Sequence, residues 1–357
     1  MTHRSQATTV AVVLLVAFGL MIFLNPVPYV RSSPGPTIDV LGDLGDEPIV
    51  QVEGRRTYPT EGELRLTTVT VDTSATKVSL FSALRGWADP AISVLPFASI
   101  YPDSVSVEQD RAESAAQMVS SQDTAVAAAL TELGYDLPTY PEVTGITPGG
   151  PSEGILKPRD RVLRVNGAEV VDLQGVLDQM DEVSPGEEVT VVVERRTEKK
   201  GRQVRTLKVT SGSASDDPER AVLGVLIGTG FEFPFDVRVA LGDNIGGPSA
   251  GLMFALSIYD VLTPGPLTGD HVVAGTGTIT ADGQVGPIGG IQQKIVGAQR
   301  AGATLFFVSP DNCTAALGAA LDADAMELVR ADSLQSALSS LEAYADNPDA
   351  DLPRCPS

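Results

Sequence analysis

Ser249 lies in GDNIGGPSAG, a glycine-rich stretch that sets a hydroxyl between Gly-Pro and Ala-Gly ahead of the apolar run LMFALSIYD. A serine so placed acts as a nucleophile only if a neighbouring group takes its proton. The chain holds two histidines, His3 and His271. G-x-S-x-G also fits the nucleophile elbow of α/β hydrolases, which needs a downstream acid and histidine. His271 follows Ser249 by only 22 residues, with Asp260 or Asp270 between them, too little chain for the intervening strands. Lysine is the other base, and beyond Lys208 the chain has a single one, Lys294 in IGGIQQKIVGAQRAG. On a helix from Ile291, Ile291, Ile295 and Ala298 share a face with Lys294 at its edge, where it can be drawn inward. A free lysine, with a pKa of about 10.4, is neutral in about one copy in 2,500 at pH 7, a cost of roughly 4.6 kcal/mol that burial can remove. Taken singly, Ser249 reads first as a helix cap and Lys294 as a snorkelling side chain.

The elements around the pair are those such chemistry needs. A strand over Val237 to Leu241 leads into the glycines, and Pro248 and Ser249 fit the first positions of a helix running to about Leu262. Amides around Gly247, Pro248, Ser249 and Ala250 are then candidates to hold an oxyanion at the helix N-terminus.

GGPSAG followed by TGTIT and ADGQVGPIGGIQQK resembles the proteolytic domain of the Lon family, whose pair is a serine in GPSAG and a lysine shortly after PIGG. The resemblance implies Ser249 as nucleophile, Lys294 as general base and Thr276 as the threonine that orients the lysine. ELRLTTVTV (63–71) and the helix containing SSQDTAVAAAL look like the early strand and helix of the same domain. Many relatives carry Asp three residues before the serine, where this chain has Gly246; Asp243 or Asn244 stands nearby to replace it. No G-x-x-x-x-G-K-[ST] occurs, so ATP-driven unfolding is not assigned to this chain. No cofactor or metal is assigned either.

From Pro141 the order strand, Gly-Pro loop, strand, short helix, strand, with GGPSEGILKPRDRVLRVNG, resembles a bacterial protease-associated PDZ domain over Tyr140 to Val209. Such a fold binds an extended peptide by strand addition beside its helix, here Leu173 to Met180. KKGRQVR (199–205) reads as a hairpin tip, and Ser211 to Pro218 as a linker.

Residues 7–24, ATTVAVVLLVAFGLMIFL, carry no charge and as a helix reach roughly 27 Å, near a bilayer's hydrocarbon thickness. With His3 and Arg4 ahead of the run, the N-terminus is expected in the cytoplasm and the rest outside, as a single-pass cell-membrane protein. Cys313 and Cys355 would then lie in an oxidising compartment, where a disulfide is permitted. A net charge of −21 argues against nucleic acid as a partner.

The expected fold class is α+β: a Lon-type proteolytic domain with an inserted PDZ domain and an N-terminal transmembrane helix. Its parts are 1–30 cytoplasmic end and anchor, 31–139 linker and first protease part, 140–210 PDZ insertion, 211–346 catalytic part and 347–357 tail. Ser32 to Pro48 reads as the linker, Ile49 to Val52 and Glu63 to Val71 as a hairpin, and Glu113 to Leu133 as a helix; Phe81 to Pro102 is not assigned. Together these resemble the membrane-anchored, PDZ-containing Lon-like proteases. The resemblance implies an ATP-independent serine endopeptidase acting on unfolded or membrane-associated polypeptides outside the cytoplasm. It also implies PDZ capture of C-terminal tails or gating, and a homo-oligomeric trimer or hexamer. The alternative from another class is a non-catalytic peptide-binding scaffold with a protease-like domain.

Overall fold

The computed structural model describes residues 3–24, 26–72, 78–100, 107–197, 201–241 and 245–356. Its main sheet has six strands in the order Glu327–Arg330, Leu305–Val308, Val272–Gly275, Glu63–Val71, Tyr29–Asp39 and Ser93–Pro96. The first four run parallel, and the last two join antiparallel. LFFV at 305–308 is buried at every position, as expected of a parallel strand covered on both faces. Leu305 and Phe307 pack with Leu252 and Leu256 of the helix Gly251–Leu262, whereas Phe306 and Val308 pack with Ile291 and Ile295 of the helix Ile291–Arg300. The serine and lysine helices thus lie on opposite faces of one sheet.

The serine helix is apolar around its whole circumference, so it must be covered on every side. Its outer side meets Ala125, Ala129 and Leu130 of the long helix Val107–Glu132. That helix also packs against a second, antiparallel sheet. Its order is Gly201–Thr210, Glu188–Thr197, Asp160–Val165, Thr139–Ile146 and Val225–Phe231. Alternating valines, Val189, Val191 and Val193, point into a separate core with Val143, Val162 and Val165. Asn166 and Gly167, both at positive φ, make the tight turn from Asp160–Val165 to Ala168–Glu169. The helix Leu173–Asp181 starts where the Asp172 side chain accepts the Gly175 N–H at 2.8 Å. The outermost strand, Val225–Phe231, has one edge unpaired in the sheet.

Several expectations are corrected. Ser32 to Pro48 is not a linker throughout: Tyr29–Asp39 is a strand between Glu63–Val71 and Ser93–Pro96. Its Pro34, Gly35 and Pro36 fall where the register shifts, so the missing proline N–H groups break no regular ladder. Val50–Glu53 forms no hairpin with Glu63–Val71 but pairs with Asp236–Val239. The unassigned Phe81 to Pro102 holds a helix at Leu80–Ala88, the edge strand Ser93–Pro96 and a short helix at Phe97–Ile100. Ser211 to Pro218 is not wholly a linker, since Gly212–Ser213 pairs with Ala221–Val222.

At the N-terminus His3–Leu24 is a helix whose Val10, Val12, Val13, Leu14, Leu15 and Phe18 are exposed. The side chains of residues 3–5, 7, 21 and 24 lie outside the description. Among the described residues, no helix is long and apolar enough to cross a membrane. At the other end Cys313 and Cys355 form a disulfide, with 5.2 Å between their Cα atoms.

Candidate active site

Three chain segments converge at the C-terminal end of Val272–Gly275. Thr276 follows that strand directly, Lys294 lies in the first turn of Ile291–Arg300, and Ser249 precedes Gly251–Leu262. Ser249 is not within the helix as expected; it sits in the turn before it, and the Gly251 N–H reaches back to the Pro248 carbonyl at 3.4 Å. The lysine helix begins at Gly290, whose φ is 70°, and a Cβ there would come 2.7 Å from Val69 Cγ1. Only glycine satisfies both the left-handed backbone and the close approach.

Lys294 Nζ lies 2.6 Å from Ser249 Oγ and 2.9 Å from Thr276 Oγ1. Thr276 Oγ1 in turn donates to the Ser249 carbonyl at 2.9 Å, and the Gly277 N–H donates to that same oxygen at 2.9 Å. These bonds fix the direction of the protons. With its own proton committed to the Ser249 carbonyl, Thr276 is an acceptor toward Lys294. A neutral Lys294 therefore spends an N–H on Thr276 and has its lone pair free to face Ser249 Oγ–H. Lys294 is 2% exposed, and burial pushes its ammonium down to about 7.

The expected oxyanion donors are narrowed by the same geometry. The Gly247 N–H is taken by the Ser114 carbonyl at 3.2 Å, and Pro248 has no N–H. Only the amides of Ser249 and Ala250 remain from that set. Asp243 and Asn244 lie outside the described residues. At Gly246 a Cβ would come 3.2 Å from Ser114 Cβ, so the long helix crowds this position. The histidine alternative is not assembled at Ser249, whose Oγ meets Lys294: His271 has Asp270 at 3.7 Å and lies tilted against Tyr344 with ring centroids 4.8 Å apart, while Asp260 Oδ1 accepts the Leu267 N–H.

Two supporting residues went unassigned in the sequence. Ser121 Oγ donates to the Pro248 carbonyl at 3.1 Å, steadying the turn ahead of the serine. It belongs to the SSQDT motif, the only signal that pointed to it. Asn312 both accepts the Ile288 N–H at 2.8 Å and donates to the Ile288 carbonyl at 3.0 Å, holding the PIGG segment that leads into the lysine helix. No local pattern marks Asn312, since its partner is 24 residues away. Beside the serine turn a cleft of about 270 Å³ runs between Ser120 and Thr124 of the long helix, Leu226 and Gly228 of the edge strand, and Pro248 and Thr278.

This chain is 50% identical over 66 residues to Lon protease 2 of Herpetosiphon aurantiacus, covering 18% of this chain and 8% of that protein. It is 30% identical over 143 residues to Lon protease 2 of Bacillus subtilis, covering 39% of this chain and 24% of that one. The chain thus spans a quarter or less of the length of these curated relatives. Among solved structures it is similar to the PDZ domain of the SdrC-like protein from Listeria monocytogenes, at 14% identity and a TM-score of 0.21, over 26% of this chain and 88% of that one. The stretch that carries Ser249, Thr276 and Lys294 lies within residues 242–339, and these match the Lon protease (S16) C-terminal proteolytic domain.

Proposed function

We propose that the protein is an ATP-independent serine endopeptidase with Ser249 as nucleophile and Lys294 as general base. The observation that carries this reading is the 2.6 Å contact between Ser249 Oγ and a lysine that burial brings to near-neutral pKa. Neutral Lys294 takes the Ser249 proton as Oγ attacks a peptide carbonyl. The amides of Ser249 and Ala250 receive the developing oxyanion. The Lys294 ammonium then gives its proton to the leaving amine, which departs and leaves an acyl-serine ester. Lys294, neutral again, deprotonates the water that hydrolyses this ester and restores Ser249.

The remaining features are part of the same proposal. The apolar run at 7–24 anchors the chain in the cell membrane with the catalytic region outside the cytoplasm, a reading supported by the exposed valines and leucines of His3–Leu24. A disulfide between Cys313 and Cys355 suits that compartment. The second sheet acts as a PDZ-type module, recruiting polypeptide tails at the edge strand Val225–Phe231 beside Leu173–Asp181 or gating access to the cleft. Unfolded or membrane-associated proteins are the substrates, and the chain assembles as a homo-oligomer, a trimer or a hexamer.

The test is cleavage of an unfolded protein by the purified full chain in detergent or vesicles. Ser249→Ala and Lys294→Ala are each expected to lower the rate by about 10³-fold or more. Wild-type activity should rise with pH through about 7 as Lys294 loses its proton. Equal rates for the wild type and both variants would remove the dyad, and a midpoint near the ordinary lysine value would remove the buried base. A wild type that binds peptides but stays inert across pH would leave a scaffold.

A further inference from the structure

The helix Leu80–Ala88, LFSALRGWA, is folded inside out for a protein surrounded by water. Its small residues face the body: Ala83 and Gly86 are buried, and a Cβ on Gly86 would come 2.6 Å from Val94 Cγ2 of the edge strand Ser93–Pro96. Its large apolar residues face away. Phe81, Leu84 and Trp87 are 42%, 48% and 53% exposed. Leu95 on the edge strand and Ile100 on the next short helix are exposed as well. An outward patch of this kind marks a surface that something covers.

Its placement identifies the cover. Phe81 stacks on Phe23, near the end of the apolar helix His3–Leu24, with ring centroids 4.5 Å apart. Backbone bonds fix this junction: Val27 N–H to the Val78 carbonyl at 2.9 Å, Phe97 N–H to the Pro28 carbonyl at 2.9 Å, and a bridge between Pro26 and Ser79. Trp87 meets Tyr29 edge to face at 5.3 Å. One apolar surface therefore continues from the exposed valines and leucines of the N-terminal helix, across Phe23, onto Phe81 and Leu84. It ends at an aromatic pair whose members each carry a polar handle. Tryptophan and tyrosine at the end of an apolar helix suit the boundary between headgroups and acyl chains.

We infer that Leu80–Ala88 is a second membrane contact, lying in the lipid interface with Phe81, Leu84 and Trp87 sunk into it. This rests on the reading of residues 7–24 as a membrane anchor and adds to it a fixed footing for the folded body. A body tied to the bilayer by one helix alone would otherwise be free to tumble above it. Because Ser79, Arg31 and the edge strand Ser93–Pro96 belong to the body, the footing sets which face of the main sheet looks at the membrane.

Trp87 is the only tryptophan in the chain, so intrinsic fluorescence reports this site alone. The full chain carrying Ser249→Ala is reconstituted in phosphatidylcholine vesicles whose acyl chains are brominated near the headgroup or near the bilayer centre, and is followed by flotation and emission. The expected result is a floating protein with blue-shifted emission that loses about half of its intensity or more to shallow bromine and less to deep bromine. Phe81→Ser with Leu84→Ser should reduce that quenching while flotation persists. A floating protein with water-like, unquenched emission overturns the footing but keeps the anchor. Blue-shifted emission untouched by bromine overturns it in favour of cover by a second copy of the chain. A protein that does not float overturns the anchor, and the footing falls with it.

Discussion

Thr276 is where the donor and acceptor count decides more than proximity does. Its hydroxyl gives its proton to the Ser249 carbonyl and accepts one from Lys294, so it fixes both the serine turn and the rotation of the amine. Thr276→Val keeps the shape but removes both bonds. The expected loss is about 10- to 100-fold in kcat with little change in KM, and Thr276→Ser should recover most of it. Two variants of equal rate would show that the hydroxyl is a spectator. At this scale the grouping was legible: a lone downstream lysine and motifs that resemble the Lon proteolytic domain pointed to Ser249, Thr276 and Lys294, which the fold brings within hydrogen-bonding distance. The amides were not, because engagement of the Gly247 N–H by Ser114 depends on a helix more than a hundred residues earlier in the chain. A tertiary contact of that range leaves no trace in local spacing.

The elements were legible where period and length spoke clearly, and illegible where glycine and proline interrupt a strand. Residues 32–39 read as the start of a linker from Pro34, Gly35 and Pro36, yet they belong to an interior strand of the main sheet because those residues sit at a register shift. The serine helix shows a different cost of burial. Asp260, in its last turn, is 0% exposed; one carboxylate oxygen accepts the Leu267 N–H at 3.0 Å and the other has no hydrogen-bond partner among the described residues. Burial raises its pKa to about 6. The folded state therefore binds this proton more tightly than the unfolded one. The associated stability is fully present below the ordinary aspartate range and is lost as pH rises through about 6. Asp260→Asn keeps an acceptor for Leu267 and carries no charge, so it should raise stability at pH 7 by about 1–2 kcal/mol and by much less at pH 4. Denaturant unfolding of the two proteins at those pH values measures the difference. A destabilised variant at pH 7 would show that the ionised carboxylate is held by a favourable field instead.

At the scale of the whole molecule, two long-range ties join parts that sequence reading treats separately. The disulfide between Cys313 and Cys355 spans 42 residues and fastens the tail beneath the lysine helix, where Cys313 packs with Ile291 and Ile295. By loop entropy its removal costs up to about 4 kcal/mol. The tail keeps buried Leu352 and the Arg354 to Glu327 bridge at 3.0 Å, so Cys355→Ser is expected to lose about 2–4 kcal/mol while still folding. A thermal midpoint unchanged by the substitution or by reductant would mean that the tail is held without the bond.

The second tie is the seam between the long helix and the second sheet. Asp123 on the helix bonds Arg159 of the sheet's loop at 3.1 Å, and Glu142 on Thr139–Ile146 is buried beside them. Glu142 is raised to about 7, first by burial and then by the charge of Asp123, with Arg159 and the Tyr140 hydroxyl opposing and Asp160 adding to the rise. Asp123 is raised in the same direction by its own burial. A carboxyl whose folded pKa lies above its unfolded value stabilises while protonated, so the contribution of Glu142 is complete below its ordinary range and is lost as pH rises through about 7. The seam should therefore loosen in the pH interval in which Lys294 becomes a competent base. Glu142→Gln, made in the Ser249→Ala background to prevent self-cleavage, retains a hydrogen-bonding side chain and should flatten the decline in stability between about pH 5 and 8, by on the order of 1–3 kcal/mol. Hydrogen exchange at Thr139–Ile146 should show the same flattening locally. If the variant and its parent lose stability in parallel over that range, the titrating group at the seam is not Glu142.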